Sequence, residues 1–277
     1  MTYRSKFAAL LLVVFLAAGC STTSGRDENS GKFPPWLIKA AEPVAPAIGF
    51  VVSRIKWRDG YLSGDAVALR FVSKHLRPFD IILFSNKNRL SGHTGGGLFG
   101  HSAVYLGSER DLKALGMWDD PLVMPHRADI RAGRTIIEAE QRHGVSLSPL
   151  GHVVETDRLM IVRPHISGDG ERRAAGRRFF ARIGARFDHH FRLEETERLF
   201  CTELIDQSMP GLRLPRRTQY DRQIIFPDDI ANAAIVGFPR LRFVTYLVGD
   251  RAGWRVASAR EALADFSSAS RETHATK

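Results

Sequence analysis

The chain has 277 residues, of which 44% are hydrophobic and 25% are charged, with a formal net charge of +10. This is the composition of an ordinary globular protein, and the sequence shows no internal repeat and no long low-complexity segment, which excludes repeat architectures. The length suffices for one sizeable core with elaborations or for two small domains.

The start of the chain carries the pattern of an export signal. Arg4 and Lys6 form a basic beginning, and an unbroken apolar run over 8–18 follows. That run is too short to span a bilayer comfortably. It ends in Leu-Ala-Ala-Gly-Cys20, which resembles a bacterial lipobox, where a signal peptidase cuts before the cysteine and the cysteine is lipidated. An ordinary cleaved signal peptide is the alternative. We therefore expect residues 1–19 to be removed and Cys20 to carry a lipid anchor.

Export restricts the partners that we expect. Ser21 after the cysteine resembles an outer-membrane sorting signal, so we expect a protein of the cell envelope, anchored in the outer membrane and facing the periplasm. A run of arginines follows the spacing of a helix and indicates either its solvated face or a contact with anionic lipid head groups. These are Arg172, Arg173, Arg177, Arg178, Arg182 and Arg186. We expect membrane contact through the anchor and no nucleic-acid partner.

The predicted elements, taken in chain order, alternate short strands with short helices. Residues 34–57 show a helical pattern broken near Pro43 and Pro46, and a helix is predicted over 64–76. Strands are predicted over 80–84, 101–107, 135–139, 145–147, 157–163 and 241–249. Helices are predicted over 170–185 and 201–208 and from Pro227. The segment 108–133 looks irregular and like an insertion. Strands first and helices after predict an α+β fold with a mostly antiparallel sheet.

This pattern also predicts the domain organisation. The expected parts are a lipoprotein signal peptide at 1–19, a flexible tether at 20–33, an N-terminal helical segment at 34–75, one α+β domain at 76–266, and a disordered tail at 267–277.

Cys201 is the candidate nucleophile. It opens a helical run, and free backbone N–H groups at the start of a helix stabilise a thiolate. After export it is the only thiol besides the lipidated cysteine, so it has no partner for an intramolecular disulfide. The competing interpretation is a small buried hydrophobic residue, because free cysteine is often buried.

Thiol catalysis also needs a base and a group that orients the base. His101 begins a strand after a glycine-rich loop over 91–100, and Glu138 lies in an apolar strand where an unpaired carboxylate is costly. On adjacent antiparallel strands the two side chains could face each other. A structural histidine and a surface carboxylate on an edge strand are the competing interpretations. His93, in the glycine-rich loop, is either close to the substrate or merely exposed. Without an HExxH or CxxC pattern we expect no metal and no cofactor.

Five segments together resemble the circularly permuted branch of the NlpC-type papain-like cysteine hydrolases, in particular the YiiX-like group. In chain order they are PFDIILF, GHSAVYLG, TIIEAEQRHGVSLSPL, RIGARFD and LFCTELI. The resemblance spans roughly residues 76–235. It implies a permuted papain-like fold with Cys201 as nucleophile, His101 as base and Glu138 as the orienting group. It also places Asp188 at a recurring structural position.

These observations predict a thiol hydrolase that acts through an acyl-enzyme. The expected substrate is a peptidoglycan amide or a lipid acyl group, because the wider superfamily acts on the first and a related acyltransferase group handles the second. A lipid acyltransferase is therefore one alternative. A catalytically inactive envelope binding protein on the same fold is another.

Overall fold

The computed structural model describes residues 58–85, 97–188, 197–219 and 222–275. The predicted signal peptide, Cys20, the tether, the helical pattern at 34–57 and His93 lie outside the described residues. Within the described ranges, none of the helices has the length and apolar character that a membrane-crossing segment needs.

Seven antiparallel strands form the main sheet. In chain order they are β1 (Ile81–Phe84), β2 (His101–Tyr105), β3 (Ile136–Glu140), β4 (Gly144–Ser148), β5 (Arg158–Pro164), β10 (Leu241–Asp250) and β11 (Gly253–Ala257). Their spatial order is β11-β10-β5-β1-β2-β3-β4. Two short pairs lie outside this sheet: β6 (Arg186–Phe187) with β7 (Arg198–Leu199), and β8 (Arg217–Gln219) with β9 (Arg222–Ile224). The predicted α+β class with a mostly antiparallel sheet is confirmed.

Within the described part of the chain, seven α-helices surround the sheet. They are α1 (Ala66–His75), α2 (Glu109–Ala114), α3 (Arg127–Arg131), α4 (Gly168–Ala181), α5 (Cys201–Ser208), α6 (Pro227–Ile235) and α7 (Ala259–Ala275). Short 3-10 turns at Met124–His126, Leu150–Val154 and Pro210–Leu212 complete the connections.

The central strand β1 is buried on both faces, which explains its unbroken apolar sequence. Successive side chains of a strand point to opposite faces. Accordingly, Ile81 and Leu83 belong to one hydrophobic core, together with residues of α4 and α5. Ile82 and Phe84 belong to a second core on the other face. The sheet therefore separates two cores, and the larger one lies on the side of α5.

The second core extends N-terminal to the predicted domain. Leu62, Ala68 and Val72 are fully buried and pack with β1 residues there. The helix α1 starts at Ala66 because the Asp65 carboxylate accepts hydrogen bonds from two backbone N–H groups of the first turn. Residues 58–75 are thus packed on the sheet, so the compact unit begins before residue 76.

The segment 108–133 contains two short α-helices and a 3-10 turn, so the prediction that it is irregular was wrong. Ser108 and Asp111 form a capping box that starts α2. Apolar residues from the whole segment, Leu112, Met117, Val123 and Ile130, are buried in the larger core. The hydrophobic side chains that hold this segment are spaced irregularly because turns separate its short helices.

The end of the chain also differs from the prediction. The backbone of α7 is helical to Ala275, through most of the segment 267–277 that was predicted to be a disordered tail. A reciprocal pair of hydrogen bonds between Ser258 and Glu261 starts the helix. Ala262 and Phe266 then pack against the larger core, which stabilises the first turns.

Candidate active site

Cys201 is the first residue of α5 and is a free thiol. The chain enters the helix from β7 through Phe200, whose extended backbone forms the boundary. The Phe200 N–H donates to the carboxylate of the buried Glu203 (3.4 Å), and Leu204 and Ile205 bury the other side of the helix in the larger core. The helix start is therefore fixed by a hydrogen bond before the cysteine and by packing after it.

His101 is the first residue of β2, paired with Phe84 at the end of β1. Its Nε2 lies 2.9 Å from Oε2 of Glu138, a side chain that is only 1% exposed. The Phe84 ring meets the imidazole edge-on at 5.0 Å between ring centroids. With Nε2 bound to the carboxylate, Nδ1 is the nitrogen that remains for Cys201.

The electrostatics of the three groups are coupled. Burial raises the pKa of Glu138, but the hydrogen bond and the charge of His101 outweigh it and bring the pKa down to about 2. Burial lowers the pKa of His101, but Cys201 and Glu138 together raise it to about 10. An imidazolium held between two anions is the favoured state of this histidine.

The pKa of the Cys201 thiol is set by opposing effects of the same kind. Burial raises its pKa, but the charge of His101 and a hydrogen bond from it lower the pKa below the ordinary value. The site therefore favours a thiolate–imidazolium pair backed by a carboxylate. Such a pair is chemically competent for nucleophilic attack on a carbonyl carbon.

Ser102 is a residue that the sequence analysis missed. It is fully buried, and its hydroxyl has no hydrogen-bond partner elsewhere in the described ranges. Its hydroxyl and its backbone N–H both lower the pKa of the Cys201 thiol. The available signal was a polar residue in an otherwise apolar strand directly after His101, where a buried hydroxyl is costly without a partner.

A second histidine, His152, lies behind Glu138. Its Nδ1 is 3.5 Å from Oε1 of Glu138, and its Nε2 is 3.9 Å from Oε1 of Glu140. These three residues bring ligand atoms within 4.8 Å of one another, so they are the described group that could present ligands to a metal ion. Both nitrogens of His152 face carboxylates, and Glu138 is engaged by His101. We therefore interpret the group as a contact that holds Glu138 in place behind His101.

Asp188, the other residue singled out by the resemblance, is fully buried just after β6. Its backbone N–H donates to the carbonyl of Leu199 (3.2 Å). It therefore lies beside the chain that leads into Cys201.

The comparison with known proteins agrees with this architecture. A family model described as "permuted papain-like amidase enzyme, YaeF/YiiX, C92 family" matches residues 75–244, more than half of the chain and the whole of the site. Neither the curated proteins nor the solved structures gave a match. The match confirms the expected family and supports a hydrolase of the amidase or peptidase type. The chain belongs to the permuted papain-like amidases.

Proposed function

We propose that this protein is a cysteine amidase in which Cys201 is the nucleophile, His101 the acid and base, and Glu138 the orienting group. The thiolate attacks the carbonyl carbon of an amide, and the negative charge moves to the carbonyl oxygen. Backbone N–H groups at the start of α5 would stabilise that oxyanion. The imidazolium then gives its proton to the departing nitrogen, so an amine leaves and an acyl-enzyme remains.

Hydrolysis of the acyl-enzyme reverses these roles. The neutral imidazole removes a proton from water, the resulting hydroxide attacks the thioester carbon, and the thiolate leaves with a carboxylic acid as the second product. Glu138 keeps the imidazole in one orientation and favours its charged form in both halves of the cycle. The observation that carries the proposal is the 2.9 Å contact of the buried Glu138 with His101, next to a thiol of lowered pKa.

The substrate that we propose is a peptide amide of the cell wall. The family description as an amidase supports an amide bond, and the N-terminal pattern supports a place in the envelope, where such peptides are found. The test is mass spectrometry of peptidoglycan fragments and of envelope lipids after incubation with the wild type and with Cys201→Ala. We expect new amine and carboxylate ends in the peptides with the wild type only. Products only among acylated lipids would contradict the amide and favour the acyl-group alternative. No products with either class would favour the binding-protein alternative.

The anchoring of the protein is a second part of the proposal. The basic start, the apolar run and Leu-Ala-Ala-Gly-Cys20 support a lipid anchor, which would hold the enzyme in the outer membrane facing the periplasm. Metabolic labelling with a palmitate analogue should mark the wild type and not Cys20→Ser. Equal labelling of both proteins would contradict the anchor and leave the amidase proposal untouched.

A further inference from the structure

A short segment at the start of α6 contacts the chain on both sides of the site. The Asp228 carboxylate accepts two hydrogen bonds from successive backbone N–H groups, those of Leu98 (2.8 Å) and Phe99 (2.7 Å). Phe99 lies two residues before His101. Asp228 therefore binds the chain at the point where it enters β2.

The chain at Gly97 leaves no room for a side chain. A Cβ atom on Gly97 would lie 2.4 Å from Oδ2 of Asp228, and the backbone of Gly97 has a positive φ of 110°. Phe99 is buried and packs edge-on against Tyr246, with 6.0 Å between ring centroids. The close approach of carboxylate and backbone thus depends on glycine at position 97.

The other end of the same segment contacts the nucleophile helix. The hydroxyl of Thr202, the residue after Cys201, donates to the carbonyl of Ile225 (2.7 Å), and both residues are buried. Ile225 lies three positions before Asp228. One short stretch, 225–228, therefore binds the neighbours of Cys201 and of His101 at the same time.

Strand pairing does not hold the first residue of β2 on both sides. The pairing of β2 with β3 covers only Val104 and Tyr105, so in the described structure it stops before His101. At its first residue β2 is paired with β1 alone. Besides the hydrogen bond of His101 to Glu138, the separation of imidazole and sulfur then depends on what holds the chain before β2 and after β7. Coulomb attraction falls with that separation, so a looser contact means a weaker ion pair.

We propose that residues 225–228 form a clasp that holds His101 against Cys201, with Thr202 and Asp228 as positioning residues. Neither touches the reacting atoms. Each acts through the backbone next to one partner of the ion pair. This inference rests on the proposed function, because it assigns the clasp to the pair that the amidase mechanism uses.

The test compares variants of the full chain by the pH dependence of Cys201 alkylation with iodoacetamide, together with thermal unfolding. Thr202→Val removes the hydroxyl at nearly constant volume, Thr202→Ser keeps it, and Asp228→Asn removes one of two acceptors. The matched control is Asp65→Asn, because Asp65 also uses both carboxylate oxygens as acceptors, but at the start of α1 on the other face of the sheet. Its Oδ1 accepts two backbone N–H bonds, at 2.7 and 2.8 Å, and its Oδ2 accepts a bond from Nε1 of Trp254 at 3.1 Å, which is the bond that asparagine removes.

We expect Thr202→Val and Asp228→Asn each to shift the alkylation midpoint upward by about one pH unit, which is about a tenfold loss of rate at any pH well below the midpoint. Thr202→Ser and Asp65→Asn should follow the wild type, although Asp65→Asn lowers thermal stability. If Asp228→Asn does not fold, Thr202→Val decides alone. A reactive wild type with unshifted Thr202→Val, or an equal shift in Asp65→Asn, would overturn the clasp. A wild type that is inert at pH 6 contradicts the amidase proposal itself.

Discussion

Replacing Glu138 with glutamine removes a buried charge from the candidate site and keeps the shape of the side chain. The pKa of Glu138 falls from 4.5 to about 2 in the folded protein. A carboxyl group with a lowered pKa stabilises the folded state above its unfolded pKa, and that stability is lost as the pH falls through the folded pKa. At about 1.4 kcal/mol for each pKa unit, the charge of Glu138 contributes about 3 kcal/mol above pH 5.

The measurement is urea unfolding of the wild type and Glu138→Gln at several pH values between 2 and 7. We expect the two proteins to differ by about 3 kcal/mol at pH 6 and to converge as the pH approaches 2, because the carboxyl group of the wild type is then protonated. Glu140→Gln is the matched control, since its side chain is a quarter exposed and lies on the same strand. A difference that stays constant across this pH range would refute the buried ion pair.

Three further predictions address the thiol and the loop before His101. His101→Ala should move the alkylation of Cys201 by iodoacetamide to higher pH, because it removes the main cause of the lowered thiol pKa; equal profiles would contradict the ion pair. Ser102→Ala should also move that profile upward, by less than one pH unit, while the melting temperature changes little, because within the described ranges the hydroxyl has no hydrogen-bond partner other than the Cys201 thiol. A loss of stability without a change in the profile would show a purely structural role. Gly97→Ala should destabilise the fold by roughly 2 kcal/mol in chemical unfolding, because it forces a side chain against Asp228 at positive φ. An unchanged unfolding free energy would show that the loop relaxes without cost.

The sheet could be predicted from the sequence because its strands are short apolar runs bounded by turns. β1, β2, β3 and β5 follow such runs closely. The strand β11 was missed because its sequence, Gly-Trp-Arg-Val-Ala, contains too little apolar alternation to stand out from the turn that precedes it. It lies at the edge of the sheet beside β10, and three of its five residues are exposed.

The helices of 108–133 show the other kind of failure. They are short, and local propensity alone does not stabilise a helix of this length. Buried residues such as Met117 and Ile130 hold this segment against a core built by distant strands. The hydrophobic spacing within the segment therefore does not by itself predict these helices.

The sequence by itself determined which residue types the site contains. A cysteine at a helix start, a histidine at a strand start and a carboxylate in an apolar strand each stand out locally, through spacing and through the cost of burying a charge. Only the tertiary structure decided how these groups meet. It sets the 2.9 Å contact of His101 with Glu138, the approach of Ser102 to Cys201, and the hydrogen bonds of Asp228 to the backbone before β2. Those contacts join residues far apart in the chain, and their geometry depends on strand register and helix packing, which are set by the whole core at once.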